Sequence, residues 1–271
     1  MLPPFVACML LVAIHSYLGL HVIAREVIFV DLSLAQMAAL GTVVALLVGV
    51  MPDSRTAYFF ALGFTAFGAA LFSLTRTAGH GRVPQEALIG IVYVVASAAA
   101  ILVADKAPHG ADAIKEIMVG SLIWVTWATN LKLAIAYAVL GAFHVLFRKR
   151  FLTISFQPEE AQRAGWRIKW WDFWFYLSFG VVITFSVPVG GVLMVFTFLV
   201  VPAAIAFLFT REMRRLAIIS WASGAVASAL GLWASYRFDL PTGPLIVCTY
   251  GLLLALAGVL KRLGVGREAA G

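Results

Sequence analysis

Residues 170–188, WWDFWFYLSFGVVITFSVP, and 191–209, GVLMVFTFLVVPAAIAFLF, are two almost wholly apolar runs. A helix rises about 1.5 Å per residue, so about 20 apolar residues cross the roughly 30 Å hydrocarbon core of a bilayer. Each run has that length. The link, Ser186-Val187-Pro188-Val189-Gly190-Gly191, carries the residues of a tight turn. The pair reads as two membrane spans joined on the outer side, with Pro202 expected to free a backbone carbonyl and kink the second.

The rest of the chain repeats this pattern. Of its 271 residues, 62% are apolar or aromatic and 12% are charged, against about 25% charged in a soluble domain. The mean hydropathy is +0.97. These values exclude a soluble globular enzyme, a disordered chain and a secreted disulfide scaffold. The fold class is all-α: a polytopic helical membrane protein, with residues 1–271 forming one transmembrane domain. Nine spans are expected, at about 4–24, 29–50, 57–75, 86–104, 128–147, 170–188, 191–209, 216–236 and 244–261. The opening Met1-Leu2-Pro3-Pro4 lacks the basic region of a cleavable signal, so the first run is expected to remain as a span.

A net charge of +7 could suggest a nucleic-acid partner, but its placement indicates membrane topology. With the C-terminus inside, the inner segments hold Arg25, Arg76, Arg82, Arg148, Lys149, Arg150, Arg163, Arg167, Lys169, Arg211, Arg214, Arg215, Lys261, Arg262 and Arg267, which is 15 of the 20 basic residues. Arg55, Lys106, Lys115, Lys132 and Arg237 fall outside. Basic residues collect on the cytoplasmic side, so the expected orientation is N-terminus out and C-terminus in.

Two loops exceed a tight turn. The outer one, 105–127, opens Asp105-Lys106-Ala107-Pro108-His109-Gly110 and contains a short apolar stretch, about 116–127, expected as a half-helix or re-entrant piece. The inner one, 148–169, has its own helix signals: Pro158 at the start, Glu159 and Glu160 near the positive end, and Gly165 as the stop. It reads either as a docking helix or as an amphipathic connector at the headgroups.

No GxxxxGK[ST] phosphate loop exists, nor any Gly-Lys pair, CxxC or HExxH. Trp221-Ala222-Ser223-Gly224 lacks the first glycine of a serine-protease turn, and Gly224/Ser228 and Ala227/Gly231 have the four-residue spacing of close helix packing. What remains is polar side chains inside apolar spans. His15 and His21 lie about 120° apart around their helix and form no two-ligand face. They read as hydrogen-bonding groups between helices, and His144 reads as an interfacial residue. Asp31, Ser33 and Gln36 fall in the second span, where Asp31 can pair with Arg25, cap its helix or face a pathway. The result is a transporter or channel subunit with an inner docking loop and no energy source of its own.

Six stretches, in order along the whole chain, then carry a resemblance: Gly19 to Arg25 with Phe29; Asp31 to Gly41, DLSLAQMAALG; Val119-Gly120-Ser121; Ser155 to Gly165, SFQPEEAQRAG; Val200-Val201-Pro202-Ala203-Ala204; and Asp239 to Pro244, DLPTGP. Together they resemble the permease subunits of zinc/manganese/iron-type ABC transporters, and more distantly those for iron-siderophore and cobalamin uptake. The resemblance implies an ATP-driven importer of divalent metal in the cytoplasmic (inner) membrane of a bacterium. It implies a homodimer with the pathway on its axis. A pair of ATP-binding subunits would dock on the coupling helix, through Phe156, Gln157, Pro158, Glu159, Glu160, Arg163 and Gly165. A periplasmic or lipid-anchored metal-binding protein would deliver the ion. No cofactor is expected in this chain, and ATP with its Mg²⁺ would sit in the partner. Asp239, Pro241, Thr242 and Gly243 would lead the pathway into the last span.

One departure stands out. The family pairs a carboxylate and a histidine four residues apart in the second span. Aligned on Arg25 and Gly41, those positions hold Leu32 and Gln36, and Asp31 is displaced by about 100° around the helix. Asp31, Ser33 and Gln36 are therefore the candidate metal-contacting residues, with an amide where imidazole would suit zinc or iron better. The competing readings are the same architecture with a chelated metal or other small cargo, and a secondary transporter or channel acting alone.

Overall fold

The computed structural model describes residues 2–51, 54–76, 83–107 and 110–264. Met1, Arg82, Pro108, His109 and Arg267, used in the reading above, lie outside the described residues. Eleven helices occur among the described residues: α1 (Leu2–Ala24), α2 (Val30–Leu47), α3 (Arg55–Thr75), α4 (Gln85–Ala104), α5 (Gly110–Val119), α6 (Trp127–Leu146), α7 (Arg148–Phe156), α8 (Pro158–Arg163), α9 (Ile168–Phe209), α10 (Met213–Phe238) and α11 (Thr242–Arg262). Eight of them are long and apolar enough to cross a membrane. Local chemistry sets their ends. Ser54 and Thr126 accept the backbone N–H of Ala57 and Thr129 to start α3 and α6. Asp239, at φ 52°, closes α10.

The longest helix, α9, has 42 residues, and its break is at Gly191, where φ is 72° and ψ 160°. Contacts along α1 show that it folds back there. Arg25 and His21, near the end of α1, meet Asp172 and Phe175. Leu11, in the middle of α1, lies near Gly190. Leu20 then shares a cluster with Ala203 and Ala206. The chain thus runs up beside α1 and returns beside it, so the two expected spans 170–188 and 191–209 are the arms of one hairpin. Helical dihedrals continue through Pro202, so the break that folds α9 back is the glycine's.

The half-helix lies earlier than the apolar stretch suggested. It is α5, and Val119-Gly120-Ser121 is its end, followed by a single 3-10 turn, Leu122–Trp124. Gly120 (φ 71°) sits directly on the α9 break. A Cβ on Gly120 would strike the backbone nitrogen of Gly191, and one on Gly191 would strike the carbonyls of Met118 and Val119. Ser121 N–H donates to Pro188 O and Val189 O at 3.2 and 3.1 Å, and its hydroxyl donates to Pro188 O. These bonds satisfy carbonyls exposed by the broken helix.

In lipid, helices associate by close packing and hydrogen bonds, because the surrounding tails are as apolar as the side chains. The buried face of α10 is accordingly mostly small: Ser220, Gly224, Ala227, Ser228, Gly231 and Ser235, with Leu216 and Leu232 beside them. This is the packing role expected of its four-residue spacings. Tyr250 of α11 donates to Gly224 O at 2.8 Å and lies 2.8 Å from Ser228 Oγ. The arms of α9, with α1 and α2, are the most buried elements, whereas α4, α6 and α11 expose aliphatic faces such as Val94, Ile135 and Leu256. Arg25, Arg76, Arg148 to Arg150, Arg211 and Lys261 all follow or precede helix ends that meet at one end of the bundle, called here the basic end.

Candidate functional site

At the basic end, α6 runs almost directly into α7, which stops at Gln157, where φ is −140° and ψ 57°. Pro158 then opens α8 and Gly165, at φ 68°, follows its end, as their chemistry requires. In α8 only Ala161 is buried. Gln157, Pro158, Glu159, Glu160, Arg163 and Gly165 are exposed, and Phe156 is half-buried beneath them. Glu159 and Arg163 pair at 3.3 Å across one turn, with both side chains about four-fifths exposed. Such a pair is worth at most a few tenths of a kcal/mol, roughly, so both are available to a partner.

Immediately before this projection, α7 is tied into the bundle. Ser155 Oγ accepts from Arg25 Nε at 2.7 Å and lies 2.8 Å from His21 Nδ1. Arg25 also donates to Asp172 Oδ1 at 2.7 Å, and Arg76 donates to Asp172 Oδ2 at 2.5 Å. Asp172 is wholly buried and Arg25 nearly so. The Arg25 guanidinium stacks on Phe175 at 3.9 Å. One carboxylate thus joins α1, the end of α3 and the start of α9, while Ser155 joins α7 to Arg25, the same cation. Gln85 and Lys169 donate to Phe72 O and Leu74 O, closing the end of α3 beside it.

A second polar chain runs deeper. Tyr17 Oη lies 3.3 Å from His144 Nδ1, and His144 Nε2 lies 2.8 Å from Ser178 Oγ. Ser178 donates its proton to Phe175 O, so His144 donates through Nε2 and accepts the tyrosine proton at Nδ1. His144 is buried and stacked on Phe151 at 4.5 Å. It is therefore an internal connector, near the end of α6 and the basic run as expected, but buried and bonded to other helices. His21 bonds between helices as expected, but His15 donates to Leu11 O of its own helix.

The α2 candidates do not converge. Ser33 donates to Ile89 O of α4 at 2.6 Å, which is a packing bond. Asp31 is buried in the first turn of α2 and accepts from Leu32 N–H at 2.7 Å. It caps its helix; the pairing with Arg25 does not occur, because Asp172 holds that cation. Glu86 of α4 covers the neighbouring Phe29 N–H. Gln36 is buried, and its Nε2 has no hydrogen-bond partner among the described residues. No group of three or more His, Cys, Asp or Glu able to hold a metal occurs among the described residues. Asp239, Pro241, Thr242 and Gly243 form the turn from α10 to α11. Asp239 and Pro241 are exposed, whereas Thr242 is buried and bonded to Ser235 Oγ at 2.7 Å.

The basic end thus combines an exposed short helix, α8, with a buried ionic centre. The model of the ABC 3 transport family matches residues 1–261. The chain belongs to that family. By family it is a membrane transport permease and not itself an enzyme. Over 214 residues it is 27% identical to the manganese transport system membrane protein MntC of Listeria monocytogenes, covering 77% of this chain and 76% of that one. It is 26% identical to the manganese import system permease protein ScaB of Streptococcus gordonii, over 73% of this chain and 71% of that one. Its fold matches a chain of PsaBC from Streptococcus pneumoniae, solved in complex with Fab, with a TM-score of 0.77 at 20% identity, over 94% of this chain and 90% of that chain.

Within this ABC 3 permease, Asp172 is the residue that sequence reasoning did not assign, and it did not foresee that Arg25 and Arg76 would meet there or that His144 would join Tyr17 to Ser178. A signal for Asp172 was present: it is the one acidic residue between Lys169 and Arg211, and an ionisable group in a span requires a partner.

Proposed function

We propose that this chain is the membrane-spanning subunit of an ATP-driven importer of divalent transition-metal ions. Manganese is the favoured cargo, ahead of iron and zinc. It works as a homodimer in the inner membrane of a bacterium, with the basic end in the cytoplasm and the N-terminus outside. A pair of separate ATP-binding subunits docks on Phe156 to Gly165, and a metal-binding protein delivers the ion to the opposite end.

The observation that carries this reading is the Ser155–Arg25–Asp172–Arg76 chain behind the exposed α8. A helix pushed by a partner moves α7, and Ser155 passes that displacement to α1, α3 and α9 through buried, charge-assisted bonds. Such bonds are short and stronger than neutral ones, so they transmit motion where an apolar contact would slide. The surplus of basic residues at this end supports its placement in the cytoplasm.

The cargo preference rests on two points. Named relatives transport manganese. The polar groups of α2 are oxygen donors, and carboxylate and carbonyl oxygen suit manganese better than zinc or iron, which favour imidazole. Gln36 is the α2 polar group that packing leaves unpaired. A buried amide without a partner costs about 1–3 kcal/mol, and turning it by half a rotation presents Oε1 to a passing cation. Loose, multi-site binding suits transit.

The test is elemental analysis of cells lacking this chain, grown with manganese, iron or zinc limiting. The expected result is loss of manganese accumulation, restored by the wild-type chain and restored only in part by Gln36→Ala at equal membrane abundance. Normal content of all three metals would overturn the proposal, and full restoration by Gln36→Ala would remove that residue from the pathway.

A further inference from the structure

Beside the docking helix lies a feature that coupling does not use. The turn after α8, the first turn of α7 and the first turn of α9 form a cavity of about 380 Å³ lined by Arg150, Trp166, Arg167, Trp170 and Trp171. The Arg150 guanidinium lies 3.9 Å from the ring centre of Trp166 and 5.7 Å from that of Trp171. Two indoles therefore hold this cation in place. Among the described residues no carboxylate pairs with Arg150 or Arg167. Two acidic residues close by in sequence are engaged elsewhere: Asp172 by Arg25 and Arg76, and Glu159 by Arg163. One preset positive charge, Arg150, and the exposed Arg167 thus line an open space with no carboxylate paired to either among the described residues.

The depth of the cavity narrows the choice of anion. Trp170 is 55% exposed and stands where the charged turn gives way to the apolar body of α9. Exposed tryptophans at such a transition mark the membrane–water boundary. A cavity at that level meets phospholipid headgroups. Guanidinium presents a planar fork that matches phosphate oxygens, and basic pockets on the cytoplasmic side take acidic headgroups. We propose that this cavity binds the phosphate of an anionic phospholipid, held by Arg150 and Arg167, with the exposed Trp170 flanking the glycerol. Because Gly165 and Trp166 lead out of α8, a bound headgroup ties the docking helix to the bilayer surface.

The experiment uses the purified full-length chain in mixed micelles containing equal amounts of phosphatidylglycerol and phosphatidylcholine, with retained lipid counted by native mass spectrometry. The wild type is expected to retain phosphatidylglycerol in preference by about tenfold or more. Arg150→Gln with Arg167→Gln should abolish the preference, whereas Arg214→Gln with Arg262→Gln, an equal loss of charge at the same end, should keep it. Millimolar inorganic phosphate should not displace the lipid. The proposal is overturned by equal retention of both lipids in the wild type, by equal loss in both double variants, or by displacement with free phosphate. Should the first double variant fail to fold, the wild-type comparison still decides.

Discussion

Asp172 carries two guanidinium partners and has no contact with water. Removing its carboxylate leaves Arg25 buried and uncompensated, a change that costs about 3–5 kcal/mol. Asp172→Ala is expected to lower the melting temperature of the detergent-solubilised chain sharply; an unchanged melting curve would show that the two arginines do not depend on it. Ser155→Ala is subtler. It removes a hydrogen bond from a charged donor, worth about 1.5–3 kcal/mol, while leaving the surface of α8 untouched. The expected outcome is normal co-purification of the ATPase with reduced ATP-dependent uptake, and equal uptake would remove Ser155 from the coupling route. The sequence exposed these residues without their pairing. Asp172 was visible as a lone acid, but Arg76 lies 96 positions away and Arg25 lies 147 away, and only the packing of α1 and α3 on α9 brings them together. Asp31 was the nearer acid to Arg25, yet it starts a helix, so its carboxylate serves its own backbone.

Among helices, two glycines of equal hydropathy should behave oppositely. A Cβ on Gly19 of α1 would strike the carbonyl of Leu199, a backbone atom that cannot rotate away. Gly63 of α3 has nothing within 4 Å of that position. Gly19→Ala is expected to destabilise by about 1–3 kcal/mol through overpacking, and Gly63→Ala to be neutral or slightly stabilising, as helix propensity favours alanine. Thermal unfolding of both variants distinguishes them; similar curves would contradict the close α1–α9 approach. The spans were legible because length and apolarity alone define them. The short helix α8 was legible because Pro158 and Gly165 act locally. The outer half-helix was misplaced because Asp112, Lys115 and Glu116 give α5 a polar face, so the apolar stretch used to find it straddled its end. The α9 break was assigned to the right residues as a turn, but no local rule revealed that Gly120 must be small to seat against Gly191.

For the whole molecule, we propose that a helical conduit meets an external motor through one exposed segment of six helical residues, α8. Reversing Glu159 and Glu160 to lysine alters only exposed side chains, so membrane insertion should be retained while ATPase association weakens. The most direct measurement is manganese uptake into proteoliposomes holding the chain with its ATP-binding partner. The account predicts uptake that requires both ATP and the partner, and that Glu159→Lys with Glu160→Lys abolishes. Equal uptake by the chain alone, without partner or ATP, would contradict it.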